Sequence, residues 1–319
     1  MKQLSLLALG FLLCLGLTSS AGAQTCSASA SSINFGSVSP ISNNAVNATG
    51  TISVTCQWPA ITFTPNALVC LNLGAPSPRE LKHGGQQMQY DLYQDPAHSL
   101  TWGSIYNGTT PISLTLSKPA TGNSVTQVVT VYGQVAGNQP TVPSVGNGNT
   151  VYRQEIGGNW TSLNYLFYPI GAPSCVSLIL SVGAFPFSVV ATVINNCSIS
   201  TSNINFATVS VLSTALNSTG SITARCTNGD AYRIALSAGT SGNVVARQLQ
   251  RTGGGAVNYQ LYVDANHTTA WGDGTQGTTM PTGVGSGNPQ VLTVYGRIPA
   301  QTTPEAGVYS DVITATITF

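Results

Sequence analysis

The sequence predicts an all-β protein made of two immunoglobulin-like Greek-key sandwiches in tandem. The chain repeats itself once, at an offset of about 170 residues and with the repeated segments in the same order, which indicates a domain duplication. Each copy consists of short segments in which apolar and polar residues alternate, such as 51–54 and 312–319, separated by Gly, Asn, Pro and Ser. Roughly seven strands per 150 residues is typical of a Greek-key sandwich.

The first residues have the pattern of a secretory signal. Lys2 supplies the positive start, an apolar run covers 4–17, and three small residues stand at 21–23, where cleavage is expected. The apolar run is shorter than the roughly 20 residues that a membrane-spanning helix needs. We therefore assign 1–23 to a signal peptide and expect the rest of the chain to be exported through the periplasm.

The composition limits the possible functions. Charged residues make up 6% of the chain and the net charge is +1, whereas charged residues usually make up about 25%. Such a surface has no basic patch that could bind nucleic acid. The length suits two domains, and the repeat divides them into an N-terminal domain over 24–183 and a C-terminal domain over 184–319.

The cysteines predict three disulfides. The chain has seven, and six remain when Cys14 leaves with the signal, an even number that indicates disulfides in an exported protein. Cysteines at equivalent positions of the repeat should pair within each copy, and the two without counterparts should pair with each other. No cysteine has metal-site spacing, so we expect neither metal nor cofactor. The expected pairs are Cys26–Cys56, Cys197–Cys226 and Cys70–Cys175.

The two copies share an ordered series of motifs. They are Asn-Phe (34–35 and 205–206), Gly-x-Ile-x-x-x-Cys (50–56 and 220–226), Tyr-x-Leu-Tyr-x-Asp (90–95 and 259–264), Trp-Gly (102–103 and 271–272) and Val-Tyr-Gly (131–133 and 294–296). The series resembles the spore coat protein U domain, which typifies the subunits of archaic chaperone-usher pili such as the Csu pilus. The second copy matches throughout, and the first is looser after about Gly133.

This resemblance implies a pilin fold that lacks one strand. In such pili a periplasmic chaperone lends the missing strand, and the adjacent subunit replaces it with its own N-terminal extension during assembly at the outer-membrane usher. The C-terminal domain is thus expected to be incomplete and to accept a strand beside its terminal strand. The residues expected at this chaperone and donor-strand interface are Val312, Ala315, Ile317 and Phe319.

The resemblance also predicts a place in the fibre. A subunit inside the fibre needs a donor segment before its first cysteine, and only Gln24 and Thr25 precede Cys26 after the expected cleavage. A subunit that accepts a strand without donating one caps the fibre, so we expect a pilus tip at the cell surface. In the first copy, either 176–182 or 187–194 could complete the domain in cis, or both could form an apolar linker, and the sequence leaves this open.

Apolar residues in predicted loops of the first copy are candidates for surface contact. The loop after Cys56 is apolar and rich in proline, and its counterpart in the second copy is short and polar. Exposed apolar loops on a polar protein mark binding surfaces, and the resemblance to the Csu tip implies attachment to abiotic or host surfaces and biofilm formation. The alternative is that these side chains fold inward as a small core. The candidates are Trp58, Ile61, Phe63, Leu68, Tyr106 and Ile170.

The sequence does not indicate an enzyme. It contains no Gly-x-Ser-x-Gly elbow, phosphate-binding loop or nucleotide fingerprint. His98 and Asp95 recur in the second copy as His267 and Asp264, which favours turn and hydrogen-bonding roles. Two other functions stay open: a carbohydrate-binding lectin at the same tip, and a structural coat-layer protein without an adhesive role. The polar side chains available to a lectin site are Asn66, Asn72 and Asn107.

Overall fold

The computed structural model describes residues 23–319, and the predicted signal segment at 1–22 lies outside them. This part of the chain forms β-strands joined by loops and short 3-10 turns, which confirms the all-β prediction. No helix within 23–319 is long and apolar enough to cross a membrane. The 3-10 turns are Ile105–Asn107, Cys175–Ser177 and Gly239–Ser241.

The first domain contains eleven strands. Most of them bury one face because apolar residues occupy alternate positions, as in β3, where Ile52, Val54 and Cys56 are buried. The strands are β1 (Thr25–Ala30), β2 (Ile33–Val38), β3 (Val46–Gln57), β4 (Asn66–Leu73), β5 (Arg79–His83), β6 (Gln86–Tyr93), β7 (Ile112–Ser117), β8 (Ser124–Val135), β9 (Thr150–Ile156), β10 (Thr161–Tyr168) and β11 (Phe187–Val193).

The second domain contains eight strands in the part that the structure describes. They are β12 (Cys197–Thr201), β13 (Leu216–Cys226), β14 (Ala231–Leu236), β15 (Arg247–Gln250), β16 (Ala256–Tyr262), β17 (Thr282–Val284), β18 (Gln290–Ile298) and β19 (Ala315–Thr318).

The sheets of the two domains correspond strand by strand, with one difference. In the first domain an eight-stranded sheet has the order β1-β3-β8-β6-β5-β9-β11-β2 and faces a three-stranded sheet, β10-β4-β7. In the second domain a five-stranded sheet, β12-β13-β18-β16-β15, matches the first five of those strands, and β19-β14-β17 matches the small sheet. The second domain therefore has no strands in the places of β9, β11 and β2.

Each domain has its own hydrophobic core, and the two cores have one tryptophan position in common. Trp102 and Trp271 are buried, and each indole Nε1 donates a hydrogen bond of 2.9 Å to a backbone carbonyl of the small sheet, at Leu71 and Ile234 respectively. The repeated Trp-Gly motif thus places the same ring under the same strand in both domains.

Three disulfides join the pairs that the repeat predicts. Cys26–Cys56 and Cys197–Cys226 each connect the first strand of a domain to its neighbour at directly paired positions. Cys70–Cys175 connects β4 to the segment that follows β10. This last bond closes the longest loop of the three, and loop closure of this kind restricts the unfolded chain.

The structure decides which segment completes the first domain. Strand β11 pairs antiparallel with β9 and parallel with β2, and it fills the space between them. The competing segment 176–182 forms no strand. Strand β11 therefore belongs to the sheet of the first domain, although it follows the expected boundary at 183.

A long loop of the first domain docks on the second. Residues 136–149 lie between β8 and β9, and the corresponding loop of the second domain, 299–306, is shorter. Asn138 accepts a hydrogen bond of 2.8 Å from Arg225, and Asn147 accepts one of 2.9 Å from the backbone N–H of Ala231. The two domains are therefore held together by this loop as well as by the short connection at 194–196.

Candidate functional site

The second domain has an open apolar groove of about 1000 Å³. One wall is the segment after β12, with Ile204 and Phe206, and the other is the segment before β19, with Tyr309 and Ile313. The floor comes from the core strands, and its apolar side chains are Leu216, Ile222, Leu236, Leu249, Val257, Leu261, Val294 and Ile298. The groove is thus a gap in the sandwich that reaches the core.

The same place in the first domain is filled. Ile33 and Phe35, the counterparts of Ile204 and Phe206, are 2% and 5% exposed because β11 covers them. In the second domain the two counterparts are half-buried. The groove therefore lies at the place that β11 occupies in the first domain.

The predicted strand-accepting residues fall on two sides of the terminal segment. Ala315 lines the groove together with Ile313, and Ile317 packs against the core further along. Val312 is 78% exposed and Phe319 is half-exposed, so neither lines the groove. Val312 faces away from the groove because alternate residues of an extended chain face opposite sides, and Ile313 takes the inward place. Contact of Val312 and Phe319 with a chaperone or a donor strand stays a prediction.

A polar contact braces one wall of the groove. The Tyr259 hydroxyl donates a 2.7 Å hydrogen bond to Oδ2 of Asp311, whose Oδ1 accepts from the N–H and hydroxyl of Thr240. Burial, and next the Asp311 carboxylate, raise the pKa of Tyr259, so its hydroxyl keeps its proton. In the first domain the Tyr90 hydroxyl donates to Gln154 at 2.6 Å in the same place. The wall therefore has the same architecture whether or not a strand fills the groove.

The predicted contact loops of the first domain separate into exposed and buried residues. Ile61 is 84% exposed, and Phe63 and Ile170 are each 91% exposed. The Asn66 side chain donates a 3.0 Å hydrogen bond to the Pro169 carbonyl, which holds the loops of Phe63 and Ile170 side by side. These three side chains form an exposed apolar surface at one end of the first domain, here called the apolar end.

Trp58 and Leu68 are not part of that surface. Each is 3% exposed, and the expectation that they contact a surface is wrong. Trp58 packs edge-to-face on Phe167, with ring centroids 5.5 Å apart. Leu68 lies on the outer face of β4, where Tyr168 and Leu178 cover it. Both side chains therefore fold inward, as in the alternative considered for these loops.

Tyr106 lies away from the apolar end. It is half-exposed, and its neighbour Asn107 donates a 2.9 Å hydrogen bond to the carbonyl of Gly74, beyond the far end of β4. Asn66, beside the apolar end, is the first residue of β4, and a strand of eight residues is about 25 Å long. Tyr106 therefore lies near the opposite end of that strand. The Tyr106 hydroxyl accepts from Asn164 and donates to the Ile179 carbonyl, so it supports the chain that crosses β10.

The segment that crosses β10 carries exposed apolar residues that are not among the contact residues predicted from the sequence. Residues 175–183, here called the strap, cross the outer face of the small sheet and are tied to it by Cys70–Cys175. The buried Asn164 amide donates to the carbonyls of Leu178 and Leu180 at 2.5 and 2.9 Å. The exposed apolar side chains of the strap are Val176, Ile179, Leu180 and Val182. One sequence feature indicates this surface: a run rich in apolar residues directly follows Cys175, a cysteine with no counterpart in the second copy.

The polar residues considered for a sugar site are engaged within the fold. Asn72 is buried; its amide donates to Asn164, and its side-chain oxygen accepts from the backbone N–H of Ile105. Asn66 and Asn107 donate to backbone carbonyls, as described above. The side-chain amides of all three residues are thus engaged in hydrogen bonds within the fold.

The repeated histidines serve turns. His98 and His267 have left-handed backbones, with φ of 54° and 58°, and each ring lies between two tyrosine rings. Asp95 and Asp264 accept backbone N–H groups of the following turn. These hydrogen bonds lower the pKa of Asp95, and at Asp264 desolvation raises the pKa but the hydrogen bonds together outweigh it and lower the pKa. Within 23–319 no group of three His, Cys, Asp or Glu could hold a metal ion.

Comparisons with known proteins agree with this architecture. The Spore Coat Protein U domain model matches residues 14–149 and 184–316. A curated relative, "Protein U" of Myxococcus xanthus, is 36% identical over 117 residues, which cover 34% of this chain and 64% of the relative. The match therefore spans less than two thirds of that relative.

A solved structure with a similar fold is the chaperone-tip adhesion subunit pre-assembly complex CsuC–CsuE from the archaic chaperone-usher Csu pili of Acinetobacter baumannii. The matched chain is 17% identical, the TM-score is 0.51, and the match covers 92% of this chain and 100% of the other. The likeness shows a shared two-domain fold. Because the family model matches both halves of the chain, the protein belongs to the Spore Coat Protein U domain family.

Proposed function

We propose that this protein is the tip subunit of an archaic chaperone-usher pilus, exported through the periplasm to the cell surface. The observation that carries the proposal is the open groove in the second domain, at the place that β11 fills in the first. A chaperone strand fills this groove first, and the adjacent pilin then donates its own strand at the usher. The first domain needs no donor because β11 completes it.

The first domain is the adhesive part in this proposal. Its apolar end exposes Ile61, Phe63 and Ile170 on a chain with few charges. Hydrogen bonds from Gln24 to Thr62 and Thr64, at 2.8 Å each, stiffen the loop that carries the first two. A stiff apolar loop loses little entropy on contact, so this end suits attachment to apolar abiotic or host surfaces and the formation of biofilms.

The groove is tested by co-expression of the exported chain with and without a cognate chaperone. We expect a stable chaperone complex, and little soluble chain when the chaperone is absent. Ile313→Ser should weaken the complex because it removes an apolar wall of the groove. Val312→Ser is the matched control, since this neighbouring side chain faces solvent. A chain that is stable and soluble without any chaperone would instead favour a structural coat-layer protein with two complete domains.

Adhesion is tested by removing the apolar end from assembled pili. The triple variant Ile61→Ser, Phe63→Ser and Ile170→Ser should bind polystyrene at least about tenfold less, since each buried apolar side chain contributes about 1.5–3 kcal/mol. Pilus yield should be unchanged. Val128→Ser with Val151→Ser, also exposed but on strands, is the control. Unchanged binding that free saccharides inhibit would favour the lectin.

A further inference from the structure

Strand β11 shows how the groove of the first domain accepts a strand. Its inward residues are Phe187, Val189, Ala191 and Val193, which are 7%, 0%, 0% and 0% exposed. Along β9 the register is continuous, with Phe187 opposite Ile156 and Val193 opposite Thr150. The filled groove therefore accepts large, medium, small and medium side chains in that order.

The small residue has a local reason. Ala191 is paired with Tyr152, and both are fully buried in the same core. The two paired side chains lie on the same face of the sheet, so the tyrosine ring occupies the space beside the alanine methyl. Burial raises the pKa of Tyr152 to about 12, and its hydroxyl donates a 2.7 Å hydrogen bond to the Pro143 carbonyl. The ring is thus held in place.

The register can be transferred to the open groove. Lys82 pairs with Arg153 in the first domain, and Gln250 bridges Ser310 in the second. Arg79-x-Leu81 of the first copy recurs as Arg247-x-Leu249 in the second, so Lys82 and Gln250 occupy equivalent positions and Arg153 corresponds to Ser310. Tyr152 then corresponds to Tyr309 and Ile156 to Ile313, and both counterparts line the groove half-buried.

The opposite wall differs between the domains. In β2 the pairing with β11 shifts register around Gly36, whose φ of 67° is left-handed. Ala207 stands at that position in the second domain, and an L side chain rarely adopts this conformation. The wall at 307–313, and not the wall at 204–209, therefore sets the register of an incoming strand.

We propose that the second domain selects a donor strand that runs antiparallel to 307–313 in the register of β11, with a small residue opposite Tyr309 and a large apolar residue opposite Ile313. This inference rests on the proposed function, because it specifies the strand that the partner subunit provides. Tyr309 is the specificity-determining residue, since its ring limits the size of the third inward side chain.

The test joins a donor strand to the intact exported chain. A copy of Phe187–Val193 is attached after Phe319 through a Gly/Ser linker of about ten residues, which spans roughly 17 Å on average. The expected strand starts beside Ile313, which lies six residues and at most roughly 20 Å before Phe319, and a fully extended ten-residue linker spans roughly 33 Å. The thermal transition of the second domain is measured, and that of the self-completed first domain is the internal reference. The unmodified copy should raise the transition of the second domain.

Changes within the copy then test the register. Ala191→Leu in the copy overpacks the ring of Tyr309 and should lower the transition by at least about 5 °C. Ser188→Leu in the copy faces solvent opposite Val312 and should shift it by less than about 2 °C. In a chain that also carries Tyr309→Ala, the penalty of Ala191→Leu in the copy should shrink by more than half.

The possible results distinguish a failure of the proposed function from a failure of the proposed register. If no attached strand raises the transition, the groove is not an acceptor and the proposed function fails. If the unmodified copy raises it but Ala191→Leu and Ser188→Leu have equal effects, or Tyr309→Ala changes nothing, the register is wrong while the acceptor function stands.

Discussion

Each domain buries one arginine at the same place, and the two arginines have different hydrogen-bonding partners. Arg79 forms an ion pair with Asp91 and donates a 2.6 Å hydrogen bond to the Trp102 carbonyl. Arg247 donates instead to the side-chain oxygen of Gln260 and to the Ser237 carbonyl. Burial lowers the pKa of both arginines. The duplication thus shows that an amide can replace the carboxylate.

This comparison predicts the effects of substitution in the first domain. Arg79→Met leaves the Asp91 carboxylate buried without its partner, and we expect a loss of about 3–5 kcal/mol in the free energy of unfolding. Asp91→Gln copies the second domain and should lose about half of that or less. Urea unfolding of the first domain measures both changes.

The exposed pair Arg153–Glu155 provides the control. Both side chains are more than half exposed, so Arg153→Met should change the free energy of unfolding by less than about 0.5 kcal/mol. Equal losses for Arg79→Met and Asp91→Gln would mean that the carboxylate itself is required, against the comparison of the two domains.

At the scale of the elements, the sequence predicts what depends on local pattern and on the repeat. Alternation locates the strands, and equivalent cysteines predict the disulfides. The local pattern does not predict the burial of Trp58, because its partner, Phe167, is distant in sequence. Leu68 was misplaced because the strap covers the outer face of β4, so that both faces of this strand are buried.

The choice of the completing strand also depended on distant contacts. Both 176–182 and 187–194 are apolar and partly alternating, so the sequence leaves them equivalent. What distinguishes β11 is a full register with β9, with Phe187 and Val193 at its ends, together with pairing to β2. Such pairing joins residues far apart in the chain, and periodicity does not contain that information.

At the scale of the whole molecule, the loop over 136–149 makes the two domains one unit. The Ser144 backbone N–H donates a 3.1 Å hydrogen bond to the Asn228 carbonyl, and the Ser144 hydroxyl donates to Asp230. Gly287 faces the Pro140 carbonyl so closely that a Cβ would clash. These contacts limit hinge motion between the two domains for as long as the loop stays docked.

We expect the Asp230 carboxyl to make this docking dependent on pH. Asp230 is fully buried, and one carboxyl oxygen has no hydrogen-bond partner. Burial raises its pKa above the ordinary 3.8, although the Ser144 hydroxyl opposes the shift. A carboxyl whose pKa is higher in the docked state binds more protons there, so docking is strongest below about pH 4 and weakens as the pH rises through the raised value.

We therefore expect Asp230→Asn to hold the domains together independently of pH. The substitution removes the charge that burial penalises and keeps an acceptor for Ser144. Small-angle scattering of the chaperone-bound chain between pH 4 and 8 measures the docking: the unmodified chain should extend as the pH rises, and Asp230→Asn should not. Asp273→Asn is the control, since this carboxyl lies on the surface and hydrogen bonds from Thr275 lower its pKa. If the unmodified chain and Asp230→Asn show the same dimensions at every pH, the loop holds the domains without any contribution from this carboxyl.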